Sequence, residues 1–252
     1  MSVTITKSII KNKHFTFNCM HFVPEKYDKI ALFTHGYTAN KSDCISWATR
    51  LSDKGFACSI FDLPGHYLGS YNEVKSFDSF KENAHLCFID VFQDLRQYAQ
   101  KNCESLILGG HSLGALLSLK ASNIKDFEAY NLKVISVGLG LNLNVKGHLF
   151  NSDFYEKTLH IRNQFVSPEL HSNFVFPWIQ EEKKSLELSG KRIHMITGKD
   201  DVVVGKDGMQ NMASILSANN MVSTAEPTRL PHHEPSMASS YIVSFVKKEF
   251  NL

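Results

Sequence analysis

The pentapeptide Gly110-His111-Ser112-Leu113-Gly114 sets a serine between two glycines, where the aliphatic stretch Ser105 to Leu108 gives way to a Leu- and Ala-rich segment, Leu113 to Lys120. A sharp strand-to-helix turn of this pattern holds a serine in strained geometry with its hydroxyl exposed. Both glycines are steric requirements, because the turn brings two backbones so close that a side chain at Gly110 or Gly114 would collide. Composition alone yields such a pentapeptide in roughly one chain of this length in ten. The flanking strand and helix signals are what give it weight.

A serine hydroxyl is a weak nucleophile at neutral pH. It needs an imidazole to take its proton and a carboxylate to hold that imidazole in the right tautomer. The chain offers both later on, in the order serine, acid, histidine. Thr197-Gly198-Lys199-Asp200-Asp201-Val202-Val203 reads as a strand end followed by a turn with two competing aspartates, and Leu230-Pro231-His232-His233-Glu234-Pro235 lies after the last strand signal and ahead of the final helix. The adjacent histidines have no further His, Cys or carboxylate at ligand spacing, so a metal site is not expected.

Positioning these residues requires a layered fold. Residues 3 to 10 and 14 to 23 alternate with period two and are joined through Lys11-Asn12-Lys13, the pattern of an antiparallel hairpin. From Lys29 onward, short aliphatic runs alternate with segments of helical period, which implies a parallel sheet covered by helices on both faces. Strands are expected at Ile30 to Thr34, Ala57 to Phe61, Ser105 to Leu108, Lys133 to Val137, Arg192 to Thr197 and Ser223 to Arg229. The clearest helix runs from Phe80 to Asn102, with Ala84, Cys87, Phe88, Val91, Leu95 and Tyr98 in one stripe. Others are expected near Ser42 to Lys54, Leu113 to Ser122, Gly205 to Ala218 and Pro235 to Phe250. The fold class is therefore α/β, a mostly parallel sheet of about eight strands in a single domain spanning 1–252. The long interval after the sixth strand, 141–190, exceeds any ordinary connection and reads as a cap insertion. Its Phe150, Phe154, Tyr155, Phe165, Phe174, Phe176 and Trp178 could roof an apolar pocket or pin the insertion to the core.

Four stretches carry a resemblance to the α/β-hydrolase superfamily, and within it to serine esterase, lipase and thioesterase-like members with a small cap. They are Phe33-Thr34-His35-Gly36-Tyr37, Phe61-Asp62-Leu63-Pro64-Gly65-His66, the serine turn, and the late acid and histidine. The resemblance implies an oxyanion hole built from the backbone N–H groups of Tyr37 and Leu113, with His35, Gly36, Gly110, His111 and Gly114 as motif support. The spacing usual in that family, a glycine, two residues and then the acid, selects Asp201 over Asp200. Aligning Glu234-Pro235 with the family's histidine loop selects His233 over His232, although His232 occupies the place of a common glycine. The loop after Asp62 departs from the family pattern, with Tyr67 at another usual glycine and one residue more before Ser70. Asp62 and His66 are expected to be structural.

With 27 Lys and Arg against 25 Asp and Glu, and no basic stripe, nucleic acid is not an expected partner. Five scattered cysteines without a CxxC pair suggest reduced, buried thiols. The N-terminal segment lacks the apolar run of a secretory signal, so a cytoplasmic location is expected, and no stretch suffices for a membrane span. The expected activity is hydrolysis of a carboxylic ester or related acyl bond in an apolar small-molecule substrate, with no cofactor. Thioester cleavage, carbon–carbon cleavage or a lyase reaction on the same three residues remain open, as does a catalytically silent binding or sensor role.

Overall fold

The computed structural model describes residues 2–142 and 153–252, with side chains from 157 onward in the second stretch. Its centre is an eight-stranded sheet in the order β1-β2-β4-β3-β5-β6-β7-β8. The strands are β1 (Val3–Lys11), β2 (Thr16–Pro24), β3 (Lys29–Thr34), β4 (Phe56–Phe61), β5 (Ser105–His111), β6 (Asn131–Val137), β7 (Arg192–Ile196) and β8 (Met221–Ala225). β1 and β2 form the expected antiparallel hairpin, β2 pairs antiparallel with β4, and all strands from β3 onward run parallel.

The helices are α1 (Ile45–Ser52), α2 (Phe77–Asn83), α3 (Cys87–Tyr98), α4 (Leu113–Ala121), α5 (Asp153–Arg162), α6 (Ser172–Ser185), α7 (Gly208–Leu216) and α8 (Ser239–Phe250). β3 and β4 are buried along their whole length, as expected for parallel strands covered on both faces. One apolar cluster gathers α3, α4 and the hairpin around Phe61, Phe80 and Phe88. Another, on the opposite face, packs α1 and α8 against Phe33, Ile107 and Ile196.

Two expectations shift. The stripe from Phe80 is carried by two helices, α2 and α3, separated by a 3-10 turn at Ala84–Leu86. β8 starts at Met221, two residues before the expected Ser223, and stops at Ala225 instead of Arg229. The regular pairing ends at Ile196 and Ala225, and beyond it the two segments stay linked through the Thr197 N–H to the Ala225 carbonyl at 3.1 Å and the Lys199 N–H to the Pro227 carbonyl at 2.9 Å.

The interval between β6 and β7 contains α5 and α6, and its middle is stitched to the loop after β4. Tyr67 N–H donates to the Phe165 carbonyl and Ser167 N–H to the Gly65 carbonyl, both at 2.8 Å, flanking a bridge between His66 and Val166. Its aromatic residues divide their work. Trp178 is buried against Phe77 and Phe80, and Phe174 is mostly exposed beside Phe77. Phe176 faces the cavities beside Ser112. Phe150 and the side chains of Phe154 and Tyr155 lie outside the described residues. Among the described residues, no helix is long and apolar enough to cross a membrane.

Candidate active site

The serine turn follows from its glycines. β5 ends at His111 and α4 begins at Leu113, which leaves Ser112 alone at the corner with φ 51° and ψ −110°. A non-glycine residue there is strained, and the Ser112 N–H is anchored by donating to the Val137 carbonyl at 2.8 Å. A Cβ on Gly110 would stand 2.4 Å from the Gly114 carbonyl carbon, and one on Gly114 would stand 2.5 Å from the His35 carbonyl oxygen. Neither distance is sterically possible. The turn therefore exists only because both positions lack a side chain.

Across the sheet, the turn after β3 lies against it. A Cβ on Gly36 would meet the His111 ring at 2.8 Å and the Ser112 Cβ at 3.3 Å. His35 is fully buried, with Nδ1 donating to the Gly36 carbonyl and Nε2 accepting from the Leu63 N–H, each at 2.8 Å. Burial holds its pKa down at about 4, so it is a neutral strut. Thr38, next to Tyr37, also has positive φ, 61°, an unusual state for a β-branched residue. The Tyr37 hydroxyl donates to the Leu170 carbonyl at 2.8 Å and so ties this turn to the segment between β6 and β7. Leu113 is the first residue of α4, where a helix leaves its N–H groups without intrahelical partners.

The two aspartates after β7 do different things. Asp201 is buried; its Oδ1 accepts the Val203 and Val204 N–H groups at 3.0 and 2.9 Å, and its Oδ2 lies 2.8 Å from His232 Nδ1. Asp200 instead accepts the Leu230 N–H at 2.7 Å, which fixes the start of the histidine loop. The acid held by an imidazole is thus Asp201, the residue selected from spacing.

The imidazole is not the one selected. His232 is the ring bonded to Asp201, whereas His233 turns outward with Nε2 3.4 Å from Arg162 Nη2. The cause is local. Leu230 is tethered to Asp200, and the Glu234 N–H closes a turn on the Pro231 carbonyl, so the two adjacent side chains leave the loop in different directions. His232 packs against the His111 ring at 4.7 Å between centroids, and its Cε1 would lie 3.3 Å from a Cβ on Gly138. The glycine slot that counted against His232 in the alignment is the position that faces the acid.

An ionised carboxylate can only accept, so His232 Nδ1 donates to Asp201 and Nε2 is left to take a proton. Ser112 and His232 line the same cavity of about 270 Å³, with Tyr37, Phe176, Arg162 and His233 in its walls. A narrower cavity of about 40 Å³ lies on another side of Ser112 and His232 and includes Lys183. The Lys183 ammonium donates to the Gly140 carbonyl at 2.8 Å, and burial lowers its pKa to about 8. Arg162 and Lys183 carry no signal in the sequence, because isolated cations on a helix show their place only once the fold brings them to the cavities.

The other motif residues are structural. Asp62 is buried and accepts from Lys41 through both N–H and Nζ, at 2.8 and 2.6 Å. His66 is buried and bridged to Val166, and desolvation pushes its pKa to about 3. No group of three or more His, Cys, Asp or Glu among the described residues could hold a metal.

The sequence model of the alpha/beta hydrolase family matches residues 31–197, a span running from β3 to the end of β7. The chain belongs to the alpha/beta hydrolase family. No curated protein matches its sequence. Among solved structures, a Pyrococcus furiosus esterase is similar with a TM-score of 0.67 at 18% identity, covering 98% of this chain and 91% of that one. A thermostable carboxyl esterase from Bacillus coagulans has a TM-score of 0.67 at 13% identity, covering 98% and 99%. An acylaminoacyl peptidase from Pyrococcus horikoshii matches with a TM-score of 0.62 at 12% identity, and there the chain spans only 41% of the other protein. At these identities the likeness concerns the fold.

Proposed function

We propose that the chain is a serine hydrolase that cleaves a carboxylic ester or a closely related acyl bond through an acyl-enzyme on Ser112. His232 takes the Ser112 proton as the hydroxyl attacks the acyl carbonyl, then delivers it to the leaving group. Water activated by the same imidazole releases the acid. Asp201 holds the ring and stabilises the transient imidazolium. The backbone N–H groups of Tyr37 and Leu113 stabilise the tetrahedral oxyanion, a contribution of about 3 to 4 kcal/mol per donor in comparable sites.

The observation that carries this reading is the 2.8 Å contact between His232 and the buried, doubly N–H-bonded Asp201, with His232 lining the same cavity as a strained Ser112. The esterase likenesses agree with it at the level of fold. No cofactor is required. The test is hydrolysis of p-nitrophenyl esters: Ser112→Ala is expected to abolish it with the fold retained, and undiminished turnover in that variant would remove the assignment.

A further inference from the structure

Arg162 is the last residue of α5, and its guanidinium lines the same 270 Å³ cavity as Ser112 and His232. Its contacts there are long. Nη1 lies 3.5 Å from Thr38 Oγ1 and Nη2 lies 3.4 Å from His233 Nε2, against about 2.8 Å for a charge-assisted hydrogen bond. Among the described residues, no carboxylate comes within ion-pair distance of it, whereas Lys41, Lys120 and Arg192 each have one. A guanidinium has five donors in a fixed fork, matched to a carboxylate that accepts through both oxygens. The neighbouring group is a histidine, not an acid. Desolvation, His232 and Arg162 together lower the His233 pKa, which favours the neutral ring, and that ring can offer a further donor. The one acid in this wall is Asp43, whose half-buried carboxyl is raised by desolvation.

We infer that Arg162, assisted by His233 and the Thr38 hydroxyl, binds a carboxylate on the substrate, so that the preferred acyl compound is a carboxylate-bearing one. This rests on the hydrolase reading and narrows its substrate class. It also gives His233 a task different from the one assigned from sequence: a polar partner for the substrate's charge. Asp43 sets a limit on the site, since its carboxylate opposes a second negative charge and favours a monoanion.

Two matched pairs test this. Mono-p-nitrophenyl adipate against p-nitrophenyl hexanoate places the charge on the acyl side, and p-carboxyphenyl acetate against its methyl ester places it on the leaving group. The wild type is expected to favour the charged member of at least one pair in kcat/KM. Arg162→Gln should reduce that preference about tenfold, the scale of one charged hydrogen bond, and Arg162→Lys should restore part of it. Salt should weaken the preference in the wild type and not in Arg162→Gln. A wild type without preference in either pair, or an equal preference in Arg162→Gln, overturns the carboxylate site while leaving the hydrolase reading intact. If no ester is cleaved, that reading fails separately, and calorimetric titration of adipate and benzoate into Ser112→Ala and Ser112→Ala/Arg162→Gln still decides the site. Equal or absent binding in both proteins refutes it.

Discussion

Among the described residues, two groupings of serine, histidine and aspartate invite comparison, and they differ in whether they face a cavity. In the first, His232 lines the cavity at Ser112 and is bonded to the buried Asp201. In the second, His21 of β2 lies with Nδ1 2.7 Å from Ser59 Oγ on β4 and Nε2 2.7 Å from Asp94 Oδ2 on α3. By residue type and hydrogen bonding alone, the second is the more complete. Yet Ser59 and His21 are both fully buried, Ser59 lies inside a regular strand, and the Tyr98 ring covers His21 at 5.1 Å. Burial lowers the pKa of His21, and the trio acts as a polar pin between hairpin, sheet and helix. What sets the Ser112 grouping apart is a strained corner, amide donors at a helix start, and a cavity with space for a substrate.

The largest contrast should appear on removing each hydroxyl. Ser112→Ala is expected to abolish ester turnover, whereas Ser59→Ala should leave turnover in place and lower stability by about 1 to 2 kcal/mol, because His21 loses a buried partner. Urea denaturation alongside rate measurements separates the two. A catalytic loss in Ser59→Ala would erase the distinction drawn here.

The acids come next. Asp201→Asn should reduce kcat on the order of 10⁴-fold by destabilising the correct imidazole tautomer. Asp94→Asn should cost about 1 to 3 kcal/mol in unfolding free energy without a comparable kinetic effect. Within the histidine pair, His232→Ala should lower kcat far more than His233→Ala; the reverse order would restore the assignment made from sequence.

Much of this was legible beforehand, for a physical reason. The Ser112 turn is a local device, encoded by Gly110 and Gly114 at contact distance, and the parallel sheet follows from short buried aliphatic runs. The strand end pointed to Asp200 and Asp201 alike, and only the spacing usual in the resembling family singled out Asp201. The choice between His232 and His233 was not legible, because it depends on the Asp200 tether to Leu230, a contact of residues 30 apart in the chain. The break between α2 and α3 had no signal either, since the apolar stripe runs through it without proline or glycine. Nor could the sequence distinguish aromatic residues that pin, such as Trp178, from Phe176, which faces the cavity.

The smallest expected effect concerns buried histidines other than His232. His35, His85 and His194 are held at about 4 and His66 at about 3, all chiefly by burial. Below about 6.5 the unfolded chain binds protons that the folded one refuses, so stability falls as pH drops from 6.5 towards 4. Urea midpoints should follow that slope. His194→Gln should flatten it by up to about 1 kcal/mol per pH unit; an unchanged slope would mean that His194 does not stay neutral in the fold.

The central claim is tested most directly by exposing the protein to a fluorophosphonate probe and locating the adduct by peptide mass spectrometry. One adduct is expected, on Ser112, with labelling absent in Ser112→Ala and strongly slowed in His232→Ala. An unlabelled wild type, or an adduct formed elsewhere that persists in Ser112→Ala, would contradict it.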